Sequence, residues 1–201
     1  MRADVALGMS SETIEALSPV VFAHQYKAKV LMALDTLDLN GIAQAIEILR
    51  EARDQGRQIF VCGNGGSAST ASHFVCDMMK GASQRGPRFR IMALTDSLPT
   101  ITAYSNDVSY ECIFTEQLKN FAKKGDVVMA LSGSGNSPNV VHTLDYANSI
   151  GCQTIALTGR DGGKLGPLAK LQIHVPEPHM GRNEEGHLIA CHMLCYYFME
   201  A

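Results

Sequence analysis

Two short loops rich in glycine and small polar side chains each lie between an apolar run and a helical pattern. The first loop, 63–67, follows the apolar run 58–62, and the second, 132–137, follows the apolar run 126–131. Glycine lets a backbone approach an anion closely, and the first turn of a helix leaves N–H groups free to bind it. Two such strand–loop–helix units predict a parallel α/β sheet, with both loops at the carboxyl ends of its strands.

The second loop, Ser132 to Ser137, differs from the common nucleotide-binding loops. No Gly-Lys-Ser/Thr follows its glycines, so it is not a Walker A loop, and it lacks the third glycine of a dinucleotide fingerprint. By itself it is equally compatible with a plain turn between strand and helix. The repetition of this chemistry in the first loop favours a site for one small phosphorylated molecule.

The rest of the chain alternates between strand and helix patterns. Strands are predicted at 58–62, 88–94, 126–131, 152–157 and 171–175, and helices at 68–80, 97–105, 111–123, 138–149 and 183–200. This order implies right-handed crossovers. We expect residues 1–55 to form an N-terminal helical segment that packs on the domain 56–201 and on other subunits, with Ser10 and Ser11 capping its first helix. Its apolar positions recur at three-to-four spacing, among them Leu31, Leu34, Ile42, Ile46 and Leu49, and we expect these to be buried between subunits.

Composition limits the classes of function. The 201 residues are 46% hydrophobic and 18% charged, with a formal net charge of −3, which fits one globular domain. No basic block indicates nucleic acid or an anionic membrane as a partner. No run of about 18 apolar residues predicts a membrane span. The six cysteines show no metal-binding spacing, so we expect free, buried thiols and a cytoplasmic location.

Titratable residues cluster on two of the predicted helices. His73 and Asp77 are four residues apart on one helix face and form either a metal-binding pair or a structural hydrogen bond. The closing helix carries Glu184 and His192 in an otherwise apolar stretch, where a histidine is either functional or satisfied within the core. These two residues are eight positions apart, about 12 Å along a helix, which exceeds the reach of one metal ion. Either the helix begins after Glu184, or different subunits supply the two residues.

The motifs together resemble the sugar isomerase (SIS) domain family, and within it the bacterial phosphoheptose isomerases. The resemblance is carried by GNGGS at 63–67, His73, Asn106-Asp107, GDVVMALSGSGNS at 125–137, LTGRDGGKL at 157–165 and the closing helix. It implies a three-layer α/β/α sandwich around a five-stranded parallel sheet of flavodoxin-like type. It also implies a homotetramer with sites at the subunit interfaces.

The same resemblance assigns roles to individual residues. In the zinc-containing members of the family the metal ligands correspond to His73, Asp77, Glu184 and His192, so zinc or another divalent ion is expected, one per site. The Asp77 position is the base and is usually glutamate, the His192 position is the general acid, and the Glu184 position is usually glutamine. A shift of about 1 Å in a catalytic group can cost about a hundredfold in rate, so the shorter Asp77 is a meaningful departure. Substrate contacts are expected from Asn64, Gly65, Gly66, Ser67, Asn106, Asp107, Ser132, Gly133, Ser134, Ser137 and Glu184.

The implied reaction is the interconversion of sedoheptulose 7-phosphate and D-glycero-D-manno-heptose 7-phosphate through an enediolate. Such a reaction needs a base, an acid and a group that stabilises the enediolate oxygens. The alternative is a non-catalytic SIS-domain protein, either a sugar-phosphate sensor or a protein that associates with the replication initiator. Retention of a carboxylate at Asp77 together with both histidines favours an enzyme.

Overall fold

The computed structural model describes residues 18–84 and 86–201 and contains one five-stranded, all-parallel sheet in the order β2-β1-β3-β4-β5. The strands are β1 (Gln58–Gly63), β2 (Arg90–Ala93), β3 (Val127–Ser132), β4 (Gln153–Gly159) and β5 (Leu171–Val175). The helices are α1 (Pro19–Leu34), α2 (Leu39–Asp54), α3 (Gly66–Lys80), α4 (Leu98–Asp107), α5 (Thr115–Phe121), α6 (Pro138–Ser149), α7 (Leu165–Leu168) and α8 (Met180–Glu200), with a 3-10 turn at Tyr110–Cys112.

Helices cover both faces of the sheet, which confirms the predicted three-layer α/β/α sandwich. Side chains of a strand alternate between the two faces, so Ile59 and Val61 pack against α2, α3 and α8, whereas Phe60 and Cys62 pack against α4, α5 and α6. Gly63 at the end of β1 is in register with Leu131 near the end of β3. The two polar loops therefore leave neighbouring strands side by side.

The N-terminal helices behave differently from one another. On α2, Ile42 and Leu49 are buried in the core of the same chain. The prediction that another subunit covers these two residues is therefore wrong, because the sheet already does so. On α1 only Ala33 is buried, and Leu31 is 56% exposed. The predicted cap at Ser10 and Ser11 lies outside the described residues.

Several boundaries differ from the sequence expectation. The helix predicted at 111–123 is a 3-10 turn followed by the shorter α5, because Ile113 and Phe114 are drawn fully into the core between them. Helix α8 begins at Met180 rather than 183, so Glu184 and His192 share one continuous helix.

All six cysteines are unpaired and four of them are buried. No helix among the described residues is long and apolar enough to span a membrane.

Candidate active site

The loop after β3 presents hydroxyl groups that are free to donate. The Ser132 Oγ accepts the Gly135 N–H at 3.1 Å, and the Ser134 Oγ accepts the Asn136 N–H at 3.2 Å. A hydroxyl that accepts a hydrogen bond can still donate its own proton, so both can donate to a bound anion. Ser137 precedes the first turn of α6, where its side chain makes no cap. The loop thus suits a phosphate group.

The loop after β1 is attached directly to α6. Asn64 and Asn139 exchange amide hydrogen bonds of 2.8 and 2.9 Å, and the Tyr110 hydroxyl donates to the Asn64 Oδ1 at 2.9 Å. Gly65 has a φ of 55°, which a residue with a side chain adopts only at a cost. Sequence reasoning missed Asn139 and Tyr110, although a buried asparagine directly after the serine-rich loop was a usable signal. The Asn64–Asn139 pair fixes the two loops relative to each other.

Both loops and the start of α8 enclose a cavity of about 230 Å³. Nine of the expected substrate contacts line it: Asn64, Gly65, Gly66, Ser67, Ser132, Gly133, Ser134, Ser137 and Glu184. Met180 also lines the cavity and was not expected. The remaining two expected contacts, Asn106 and Asp107, lie outside it at the exposed end of α4, where the Asn106 amide donates to the Asp107 carboxylate.

Asn183 fixes the start of α8 against the serine-rich loop. Its buried amide donates to the carbonyls of Gly133 and Glu177, at 3.3 Å each. A side chain at Gly159 would overlap this amide, and one at Gly133 would collide with Met180. The absence of a side chain at these two glycines therefore permits the close packing of α8 against the strand ends. Asn183 could not be identified from the sequence, because its partner Gly133 lies 50 residues away along the chain.

Three side chains of metal-ligand type converge on α3 and α8, the two helices whose amino-terminal ends line the cavity. The Nε2 atoms of His73 and His192 are 3.1 Å apart, and the Asp77 Oδ2 lies 3.2 Å from the first and 3.9 Å from the second. These ligand atoms all lie within 4.8 Å of one another. Since the two histidines come from α3 and α8, the packing of these helices builds the cluster. The fourth predicted ligand, Glu184, is not part of this group, and its carboxylate lies against Gly66.

The cluster has the ligand types and the spacing of a divalent metal site. At metal–ligand bonds of about 2.0–2.2 Å, neighbouring ligands of a tetrahedral ion are about 3.3–3.6 Å apart. The three separations here, 3.1, 3.2 and 3.9 Å, bracket that range. Two imidazoles and one carboxylate are ligand types that catalytic metal sites use. The three side chains are also 29–49% exposed, so a ligand can reach them.

One further histidine of α8 lies close to the site but has no contact with it. His187 is 1% exposed, and neither ring nitrogen has a hydrogen-bond partner among the described residues. Burial lowers the pKa of His187 to about 4, and the nearby Thr158 backbone offsets this only in part. His187 is therefore neutral at physiological pH and belongs to the packed interior.

The fold and the site together define a sugar isomerase domain, and the family model described as the SIS domain matches residues 22–159. The chain belongs to the SIS domain family. It is 40% identical over 160 residues to a probable phosphoheptose isomerase of Thermoplasma volcanium, covering 80% of this chain and 82% of the relative. It is 36% identical over 182 residues to the phosphoheptose isomerase of Geotalea daltonii, which covers 90% of this chain and 93% of that relative. The structure of phosphoheptose isomerase GmhA from Neisseria gonorrhoeae superposes with a TM-score of 0.85 at 29% identity, covering 92% of this chain and all of that one.

Proposed function

We propose that this protein is a phosphosugar aldose–ketose isomerase that interconverts sedoheptulose 7-phosphate and D-glycero-D-manno-heptose 7-phosphate. The observation that carries the proposal is the convergence of Asp77, His73 and His192 on α3 and α8, the two helices whose amino-terminal ends line the cavity between the polar loops. The relatives named phosphoheptose isomerase support this choice of substrate. A non-catalytic sensor or an initiator-associated protein is less favoured, because the site keeps both a carboxylate and imidazoles at bonding distance.

The loop 132–137 would hold the phosphate of the sugar. The hydroxyls of Ser132, Ser134 and Ser137 supply donors, and the positive end of the α6 dipole attracts the dianion. Asn64, fixed by Asn139, presents an amide on the other side of the cavity. Asn106 and Asp107 stay proposed contacts for the sugar hydroxyls, reached by a movement of α4 or supplied to a neighbouring subunit.

Asp77 and His192 would move the protons. Asp77 removes the C2 proton of the aldose and returns it to C1, while His192 donates to one enediolate oxygen and withdraws a proton from the other. The Asp77 Oδ2 lies nearest to both histidines, and we assign the role of the base to its second oxygen. The imidazole of His192 is 38% exposed, which leaves it accessible to the substrate.

We further propose that His73, Asp77 and His192 hold one zinc or other divalent ion per site, with Glu184 as a fourth ligand. When bound, the ion would polarise the carbonyl oxygen of the substrate as a Lewis acid. Because Glu184 and His192 lie eight residues apart on the continuous helix α8, Glu184 would complete the ligand set by acting from another subunit. The exposed apolar side chains of α1 support a homotetramer, and the unpaired cysteines support a cytoplasmic location.

Proton exchange with solvent tests the reaction directly. Wild-type protein in deuterium oxide should introduce deuterium at C1 of sedoheptulose 7-phosphate and at C2 of the aldose that forms from it. Asp77→Asn should abolish both exchange and turnover but retain phosphate-dependent binding, because it keeps the shape of the side chain without its basic oxygen. If the wild type binds these compounds but exchanges protons with none of the five-, six- and seven-carbon ketose phosphates tested, the sensor alternative would be favoured.

A further inference from the structure

A second cavity opens at the opposite edge of the sheet from the proposed active site. Its volume is about 420 Å³, within the range of small-molecule sites. Gln58 begins β1, Arg90 begins β2 and Asp126 immediately precedes β3, so the cavity lies at the amino ends of three neighbouring strands. It is separated from the serine-rich loop by the length of a strand, about 20 Å for six residues. It is therefore independent of the proposed function.

The charge of this cavity is positive and largely uncompensated. Arg57, Arg90 and Lys123 line it, and none of the three forms an ion pair with the described residues. Its single acidic residue, Asp126, is buried and accepts the backbone N–H groups of Gln58 and Lys123 at 3.0 and 2.8 Å. Because that carboxylate already serves two backbone donors, it is poorly placed to neutralise all three cations.

The two guanidinium groups are held in place while part of their hydrogen-bonding capacity is unused. Arg57 donates to the Lys124 carbonyl at 3.1 Å and packs on Gly125, where a Cβ would come within 2.9 Å of its guanidinium carbon. Arg90 donates to the Gly56 carbonyl at 3.2 Å. A guanidinium has five N–H donors, so each keeps donors for a bound oxyanion. Restraint of this kind reduces the entropy that a ligand must overcome on binding.

An apolar surface adjoins the cations. Phe121, the last residue of α5, lines the cavity with 54% of its surface exposed, and Met92 lies beside it in the lining. The amides of Gln55, Gln58 and Asn120 complete the wall. An exposed aromatic ring stacks readily on a planar heterocycle. The Gln55 and Asn120 amides donate to Glu51 and to the Glu116 carbonyl, so the Gln58 amide is the one best placed to pair with the edge of a base.

We propose that this cavity binds a nucleoside diphosphate. A diphosphate carries about three negative charges near neutral pH, which matches the three uncompensated cations. The base would stack on Phe121 while Arg57, Arg90 and Lys123 hold the phosphates. Inorganic phosphate alone would leave the aromatic and amide surfaces unused.

Calorimetric titration of the full-length protein with ADP tests the proposal. Saturable binding is expected, and Arg90→Gln and Lys123→Gln should each weaken it at least about tenfold, since a hydrogen bond to a charged group is lost. Arg90→Lys keeps the positive charge but loses the paired N–H donors of the guanidinium, so its affinity for ADP should lie between those of the wild type and Arg90→Gln. Phe121→Ala should weaken the binding of ADP about tenfold and leave the binding of pyrophosphate unchanged, because only the nucleoside would contact the ring.

Two controls give the titration its specificity. Lys119→Gln removes one positive charge from α5, the helix that ends at Phe121. Lys119 lies outside the cavity and pairs with Glu116. Ser134→Ala alters the serine-rich loop at the other edge of the sheet. Both variants should bind ADP like the wild type. The proposal would be overturned if ADP showed no saturable binding at millimolar concentration, or if pyrophosphate bound as tightly as ADP. It would also be overturned if Lys119→Gln lost as much affinity for ADP as Arg90→Gln and Lys123→Gln, or if Ser134→Ala were the one variant that lost affinity.

Discussion

The carboxylate of Glu184 lies directly against Gly66, at the residue where α3 begins. A Cβ built on Gly66 would come within 2.5 Å of the Glu184 Oε1 and 2.6 Å of its Oε2. The amino end of a helix carries partial positive charge, so a carboxylate is favourably placed there. Because Glu184 also lines the cavity between the two loops, its position affects the space in which a sugar phosphate would bind.

The first prediction concerns this contact. Gly66→Ala should displace Glu184 towards the cavity and lower kcat/KM by about ten- to a hundredfold, since small misplacements in a site are costly. Steady-state kinetics with sedoheptulose 7-phosphate measures the effect. Gly41→Ala is a matched control, because Gly41 also lies in the first turn of a helix beside a carboxylate, that of Asp38, but is remote from the site. Equal losses in both variants would mean that the effect is one of folding.

The second prediction concerns the metal. Protein purified without chelator should contain about one zinc or similar divalent ion per chain, and His73→Ala should lose most of it, because one of three converging ligands is removed. Elemental analysis by mass spectrometry gives the content without any assay of activity. His142→Ala alters an exposed histidine on α6 and should retain the metal. Wild-type protein that stays metal-free after incubation with zinc would contradict the proposed ligand set.

The parts of the fold that sequence could predict are those fixed by local pattern. The apolar runs before the two polar loops predicted β1 and β3, and the placing of both loops at strand ends follows from parallel topology alone. The i,i+4 spacing of His73 and Asp77 likewise placed them on one helix face, and the structure brings them to 3.2 Å.

The parts that could not be predicted depend on contacts distant in sequence. Asn64 and Asn139 meet only because β1 and β3 are neighbours in the sheet, an order that no local pattern contains. The burial of Ile42 and Leu49 had the same cause, since an apolar stripe does not reveal which surface will cover it. The early start of α8 depends on His179, whose ring accepts the Arg182 N–H and so caps the helix.

The third prediction is a pH dependence of stability that arises from His187. The pKa of His187 is about 4 in the folded protein, against an ordinary value of 6.5. Between these two pH values the unfolded chain binds a proton at His187 and the folded chain does not. Stability should therefore be constant above pH 6.5 and fall as the pH drops towards 4, by up to about 1.4 kcal/mol per pH unit. Urea denaturation between pH 7.5 and 5 measures this slope.

His187→Leu should reduce this slope, because it removes the group that cannot be charged when folded. His174 is the titratable neighbour whose charge acts on His187, and it is unchanged in this variant. His142→Leu removes an exposed histidine and should leave the slope as in the wild type. Identical slopes in the wild type and His187→Leu would assign the acid sensitivity to other groups.

The fourth prediction concerns assembly. On α1, Phe22 and Met32 are 57% and 68% exposed, and burying such side chains in an interface is worth roughly 1.5–3 kcal/mol each. Light scattering coupled to gel filtration should give a tetrameric mass at micromolar concentration. Phe22→Glu combined with Met32→Glu should reduce that mass, whereas Lys27→Glu, a charge change on an exposed residue of the same helix, should have less effect. A monomeric wild type would exclude the proposed tetramer.

The last prediction concerns the length of the proposed base. The Asp77 Oδ2 already lies 3.2 Å from the Nε2 of His73 and 3.9 Å from that of His192, so the site is built around the shorter carboxylate. An added methylene would push the carboxylate into the histidine pair or turn it away, and Asp77→Glu should lower kcat by about ten- to a hundredfold. Asp145→Glu, the same change on the exposed face of α6, should leave kcat unaltered. A higher kcat in Asp77→Glu would instead show that Asp77 is too short for its task and that the site performs best with glutamate.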